Sequence, residues 1–160
     1  MALAGIGVVA VEIDTYAGAL LLILSHALVL SLLLRNPRKN PAGSQKFTAA
    51  ALLTLVPVIL WLATPSDPLR MTTTIYGLGG GGMAGAAWIS GFPRSGVGAG
   101  AVLVTAAALS SILGAGFLSG SPVPGAVSWP LFYLGHFLIC TGIVQTLRRA
   151  MHKPELRQVI

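Results

Sequence analysis

The chain has 160 residues, 54% of them hydrophobic and only 9% charged. Soluble domains carry about a quarter charged residues, so the composition excludes an ordinary soluble domain and points to a membrane protein. Ten Lys and Arg against four Asp and Glu leave a net charge of +6, and the lone cysteine, Cys140, excludes an internal disulfide or a cysteine metal cluster.

Taken in chain order, residues 1–11 are apolar but too short to span, and they lack the basic leader and cleavage pattern of a signal peptide. They are expected to extend the first span or to be what is left of a lost one. Five apolar runs follow, each near the about 20 residues needed to cross roughly 30 Å of hydrocarbon. Residues 16–34 are closed by Arg35, 47–64 end at the "TPSDP" turn, and 71–89 form the third run. Residues 97–118 lie between "GFPRSG" and "SGSPVPG", and 129–147 stop at Arg148 and Arg149. Proline and glycine punctuate the intervals, ending helices by removing a donor or tolerating turn geometry. The expected fold is an all-α polytopic transmembrane bundle of about five spans, forming one domain over residues 1–160.

The basic residues set the orientation. Arg35, Arg38, Lys39 and Lys46 fill the first connection, and Arg148, Arg149, Lys153 and Arg157 the tail. Both clusters belong on the cytoplasmic side, and a five-span chain is consistent with this, since the four spans between the clusters return the chain to the same side. Arg94 falls on that side too, Arg70 is offset by Asp67, and Glu12 and Asp14 stand outside with the N-terminus. The expected location is a bacterial inner (plasma) membrane, with membrane lipids as partners. Because the positive charge is confined to membrane-flanking clusters, it reads as a topology signal with anionic-lipid contacts, and no nucleic-acid partner is expected.

The third run contains "YGLGGGGMAGAAW". Gly77, Gly79 and Gly82 match dinucleotide-binding spacing, but the strand-to-helix setting that motif needs is missing. Gly77, Gly81 and Gly85 recur every fourth residue, clearing one stripe for a neighbouring backbone. Gly96 and Gly100 in the fourth run look like the complementary stripe. Such stripes would also serve a homodimer or another membrane chain.

Polar groups within spans are costly and usually face the bundle interior. His26 shares a stripe with Leu22 and Leu30; His136 shares one with Trp129, Phe132, Tyr133 and Cys140. Each histidine is read either as a hydrogen-bonded residue at a helix contact or as the lining of a lipid-shaped pocket. Cys140 reads as a small apolar residue in a helix. Of the acids, Glu155 and Asp67 are expected in solvent. Were the first helix to begin early enough, Glu12 would share a face with His26 but stand roughly 21 Å from it along the axis. No Ser-His-Asp order, metal-ligand spacing or nucleophile elbow is present, and no metal or cofactor is expected.

Taken together, "YAGALLLILSHALVLSLLLR", "IYGLGGGGMAGAAW", "GVGAGAVLVTAAALSSIL" and "FYLGHFLICTGIVQ" resemble, in that order, successive segments of the lysoplasmalogenase (YhhN-like) family of integral membrane proteins. The matching features are Gly18 eight residues before His26, Tyr76 seven before Met83, the Gly98-Ala99 pair, and the closing "YLGHFLI", within residues 16–147. The resemblance implies an eight-span hydrolase that cleaves the vinyl-ether bond of lysoplasmalogens to a fatty aldehyde and a glycerophospho-base, with two membrane aspartates as acid and base. Vinyl-ether cleavage by protonation at carbon and attack of water suits such a pair.

The sequence departs from that pattern at its front, where about three spans are missing, and at both acids. Thr105-Ala106 stands where the family has Ser-Asp, and near Gly5, where the other aspartate is expected, nothing ionisable stands. Two readings result. In the first, the chain is a hydrolase with His26, His136, Asp14 and Glu12 as catalytic candidates and Tyr76, Tyr133, Met83 and Thr105 as substrate contacts. In the second, it is a non-catalytic membrane subunit or lipid-binding protein on the same bundle. Catalysis requires a titratable pair within hydrogen-bond reach beside a cavity.

Overall fold

A computed structural model describes residues 2–64 and 67–152. Helices form all the long elements: α1 Ala2–Ile13, α2 Thr15–Arg35, α3 Gly43–Ala63, α4 Asp67–Ile89, α5 Ala99–Ala115 and α6 Val123–His152, with a π turn at Arg94–Gly98 leading into α5. The protein is therefore the expected all-α membrane bundle, and α2 to α6 fall on the five apolar runs. Part of the "TPSDP" turn and the tail bearing Lys153, Glu155 and Arg157 lie outside the described residues.

Four helical segments, α2, α3, α5 with its π turn, and α6, are long and apolar enough to cross a membrane. The 23 residues of α4 are also long enough at about 1.5 Å per residue, but glycines and the run Thr72-Thr73-Thr74 lower its hydropathy. Its position accounts for this composition, because α4 packs against α2, α3 and α5 and needs less apolar surface than a helix facing lipid. The outward faces of the others carry Leu20, Leu24, Leu28, Phe47, Leu55, Leu62 and Phe137, all exposed, as hydrocarbon solvent allows. The interior is built around Leu33, Met83, Ala84, Ala87, Val97, Ala101, Val104 and Ile139.

The N-terminal segment corrects the expectation for residues 1–11. It does not extend the first span but forms a separate short helix. The chain breaks at Asp14, whose backbone is extended (φ −144°, ψ 110°) and whose carboxylate accepts hydrogen bonds from the amides of Tyr16 (2.9 Å) and Ala17 (3.1 Å). This is an N-cap, satisfying amides that the first turn of a helix leaves orphaned. α1 then lies antiparallel along α2, with Gly7 against Leu22 and Gly18 against Val11. Glu12 is therefore not on the helix that carries His26, and the shared-face argument fails.

The glycine stripes work as packing surfaces, but with partners other than those expected. A Cβ at Gly81 would lie 2.5 Å from the Leu52 carbonyl oxygen, one at Gly85 2.8 Å from that of Ala49, and one at Gly77 2.9 Å from Pro57 Cα. The α4 stripe is thus filled by antiparallel α3, not by the fourth run. Gly96 and Gly100 instead face α6, at Gly142, Gly135 and Ile139. Both stripes are occupied within the chain, so a second copy would have to use another face.

Candidate functional site

Three antiparallel hairpins, α1–α2, α3–α4 and α5–α6, share α4 as their common neighbour, and α2 and α6 make no close backbone contact. A cleft remains between them. In the half of the bundle nearest Asp14 it forms a cavity of about 270 Å³. Apolar walls come from Val8, Val11, Ala19, Leu22, Leu69, Ala107, Ala108, Ile112 and Trp129, while Glu12, Thr15, Thr72, Thr73, Ser111 and Ser128 supply polar groups. Tyr76 and Phe132 also line it.

The midplane side chains lie behind those two rings. His26 stacks on Tyr76 with ring centroids 5.2 Å apart and is 2% exposed. Among the described residues, neither of its ring nitrogens has a hydrogen-bond partner. Gly79 and Gly80 of α4 lie against His26, where a Cβ would sit 3.7 Å from Nδ1 and 3.9 Å from Cε1 respectively, ordinary van der Waals contacts. His136 packs on Phe132 at 4.2 Å, and its Nδ1 lies 2.9 Å from the Phe132 carbonyl oxygen, one turn back on α6. Thr105 is buried, donating to the carbonyl of Ala101 (3.0 Å) and, at longer range, of Gly80 (3.4 Å).

The structure divides the expected site residues. Glu12 and Tyr76 are on the cavity wall, and His26 and His136 lie one layer behind it. Asp14 serves as the α2 cap. Met83 is fully buried in the core cluster. Tyr133 is 62% exposed on the outer face of α6 beside Trp129, because α6 buries the stripe of Pro124, Ser128, Gly135, His136, Ile139 and Gly142. Thr105 supports α4 from behind and is not on the wall. Among the described residues the one salt bridge joins Arg70 to Asp67, at 2.7 Å, and no carboxylate bonds either histidine. No group of three or more His, Cys, Asp or Glu able to hold a metal ion occurs among them either.

Sequence reading missed the hydroxyls. Thr72 and Tyr76, Ala107 and Ser111, and Ser128 and Phe132 are pairs four residues apart, so each helix presents one weakly polar stripe to the cavity. That spacing was the available signal.

The unsatisfied imidazole of His26 leads to a prediction. An unpaired buried polar group costs about 1–3 kcal/mol, so His26→Leu, of similar bulk, should leave the melting temperature of the detergent-purified protein unchanged or raise it. A marked fall would show that His26 has a structural partner.

A sequence model of the YhhN family matches residues 3–143, nearly nine-tenths of the chain. No protein of curated function matches the chain. No solved structure matches it either.

Proposed function

Since the chain belongs to the YhhN family, we propose that it holds one single-chain lipid of the lysoplasmalogen type in the cavity between α2 and α6. The observation that carries this reading is the polarity gradient along the cavity. Its end near the helix termini has Glu12 and Thr15, and its deep end is closed by the rings of Tyr76 and Phe132. An amphiphile enters such a site tail first, with its headgroup at the membrane surface.

Size and charge agree with this. At about 270 Å³ the cavity is just under the roughly 300–1,000 Å³ of ordinary ligand sites. It accommodates part of one chain, the rest lying along the exposed apolar helix faces. Glu12, Asp14 and Asp67 all lie at this end of the bundle, which favours the amine of a choline or ethanolamine headgroup over an anionic one. Hydroxyls of Thr15 and Ser111 supply donors for its phosphate. The opposite, basic end faces the cytoplasm of a bacterial inner membrane.

Hydrolysis is the second reading, favoured by Glu12, the one carboxylate on the wall. As a carboxylic acid it would protonate the vinyl-ether carbon. Water would add to the resulting oxocarbenium ion, its proton returning to Glu12, and the hemiacetal would collapse to aldehyde and glycerophospho-base. Lipid binding remains the better-supported reading, because the two positions where the family carries aspartates provide no acid here. Thr105 and Ala106 bear none, and Gly5 lies on α1 with nothing within 4 Å of where its Cβ would be.

The deciding experiment is to incubate purified protein with a lysoplasmalogen and measure both retained lipid and released aldehyde, for wild type and Glu12→Gln. Retention without aldehyde supports the binding reading. Aldehyde release that Glu12→Gln abolishes makes the chain a hydrolase. Neither retention nor release sinks both.

A further inference from the structure

The basic end of the bundle carries a second cavity, of about 630 Å³, formed where three separate segments converge. Residues 36–40 of the α2–α3 connection, residues 91–93 of the α4–α5 connection and the end of α6 line it, bringing Arg38, Lys39 and Arg149 together over Pro37, Phe92 and Leu147. We propose that this cavity is a binding site for the phosphodiester headgroup of an anionic phospholipid, with one acyl chain running down the apolar side of α6 from Leu147.

Three observations support it. First, the site is pre-built. The two connections are stitched together by the Arg38 amide on the Ile89 carbonyl (3.1 Å) and the Gly91 amide on the Asn36 carbonyl (2.8 Å). The half-buried Arg38 side chain is then pinned, Nε donating to the Ser90 carbonyl (3.2 Å) and one Nη to that of Phe92 (3.4 Å). A guanidinium has five donors, so the others remain for a ligand, and the entropy of ordering the side chain has already been lost.

Second, basic charge is concentrated at this end. Arg35, Arg38, Lys39, Lys46, Arg94, Arg148 and Arg149 all stand at this end, whereas every acid among the described residues stands at the other. Arg149 is exposed and forms no ion pair among them. Third, the cavity lies at the C-terminal ends of α2 and α4 and beside the last turns of α6, so cationic donors and an apolar floor meet at one end of the spanning helices, where lipid headgroups belong. A planar arginine fork matches phosphate oxygens in two-point contact. Orientation alone requires positive charge at this end, but not a cleft with a fixed arginine in it.

The experiment uses the full chain in nanodiscs and in detergent. It compares phosphatidylglycerol, phosphatidylcholine and inorganic phosphate as probes by native mass spectrometry and by titration. The variants are Arg149→Gln, Arg38→Gln and, as a control of equal charge loss outside the cavity, Arg148→Gln. The proposal expects wild type to retain phosphatidylglycerol over phosphatidylcholine and expects Arg149→Gln to weaken that retention tenfold or more. Arg148→Gln should change it about fivefold or less, the effect of one surface charge. The Arg149 side chain makes no hydrogen bond among the described residues, so its variant stays informative even if Arg38→Gln fails to fold. Equal effects of Arg148→Gln and Arg149→Gln would overturn the site in favour of diffuse attraction. Inorganic phosphate binding as tightly as the lipid would overturn the lipid as its occupant.

Discussion

Gly100→Leu is expected to abolish folding of the α5–α6 hairpin, giving a chain that aggregates on detergent extraction. A Cβ at Gly100 would lie 2.6 Å from the Gly135 carbonyl oxygen and 2.9 Å from the Ile139 amide nitrogen, and one at Gly135 2.7 Å from the Gly100 carbonyl oxygen. The two glycines face each other, so backbone meets backbone and no side chain is available to swing aside. Overpacking a core commonly costs about 1–3 kcal/mol, and a rigid backbone clash belongs at or above the top of that range. Between helices in lipid, close packing of small residues is a main source of association, since the tails are as apolar as the side chains. Size-exclusion chromatography and melting temperature check the expectation. Gly125→Leu, on α6 with nothing within 4 Å of its Cβ position, is the matched control and should behave as wild type. A monodisperse Gly100→Leu protein would show that the helices do not meet as described.

The second large effect concerns the cavity near Asp14. Ala108, half-buried on α5, is one of its wall residues. Its replacement by Trp places an indole in a space of about 270 Å³ while leaving the glycine contacts of the hairpin untouched. Lysolipid retention should fall at least about tenfold, matching the loss of roughly 1.4 kcal/mol or more of apolar contact. The melting temperature should remain close to wild type, because the added ring enters open space. Loss of retention together with loss of folding would assign the effect to overpacking; full retention by a folded Ala108→Trp protein would place the lipid elsewhere.

Much of the bundle was legible from the sequence because hydrophobic length is a direct record of membrane thickness. The five apolar runs and the basic clusters that bound them became α2 to α6 within a few residues. The α4 glycines announced close packing at Gly77, Gly81 and Gly85, yet a stripe states only that a backbone comes near, not which one. The preference of consecutive helices to pack as neighbours identifies α3, and this outweighed the symmetry between the two glycine stripes. The break at Asp14 was written as a capping residue directly before the first run, but the apolar residues 1–11 masked it. Among the site residues, Glu12 ends α1 and lines the cavity. Tyr133 was misjudged because a stripe at helical spacing on α6 also includes residues one position off it, and that single step turns a side chain from the interior to the lipid. His26 and His136 were correctly expected to be buried. Whether a buried histidine lines a cavity depends on which rings stand between, here Tyr76 and Phe132, and this is a property of the assembled helices.

The most direct test of the account is a positional one. A single-chain ether lipid bearing a photoreactive group along its tail would be crosslinked to the purified protein and the adducts mapped by peptide sequencing. The account predicts labels concentrated on Leu22, Thr72, Tyr76, Ala108, Ser111 and Phe132, which meet only in the cavity between α2 and α6. Labels spread over the outward residues Leu28, Phe47, Leu55 and Phe137, with none at those positions, would contradict it.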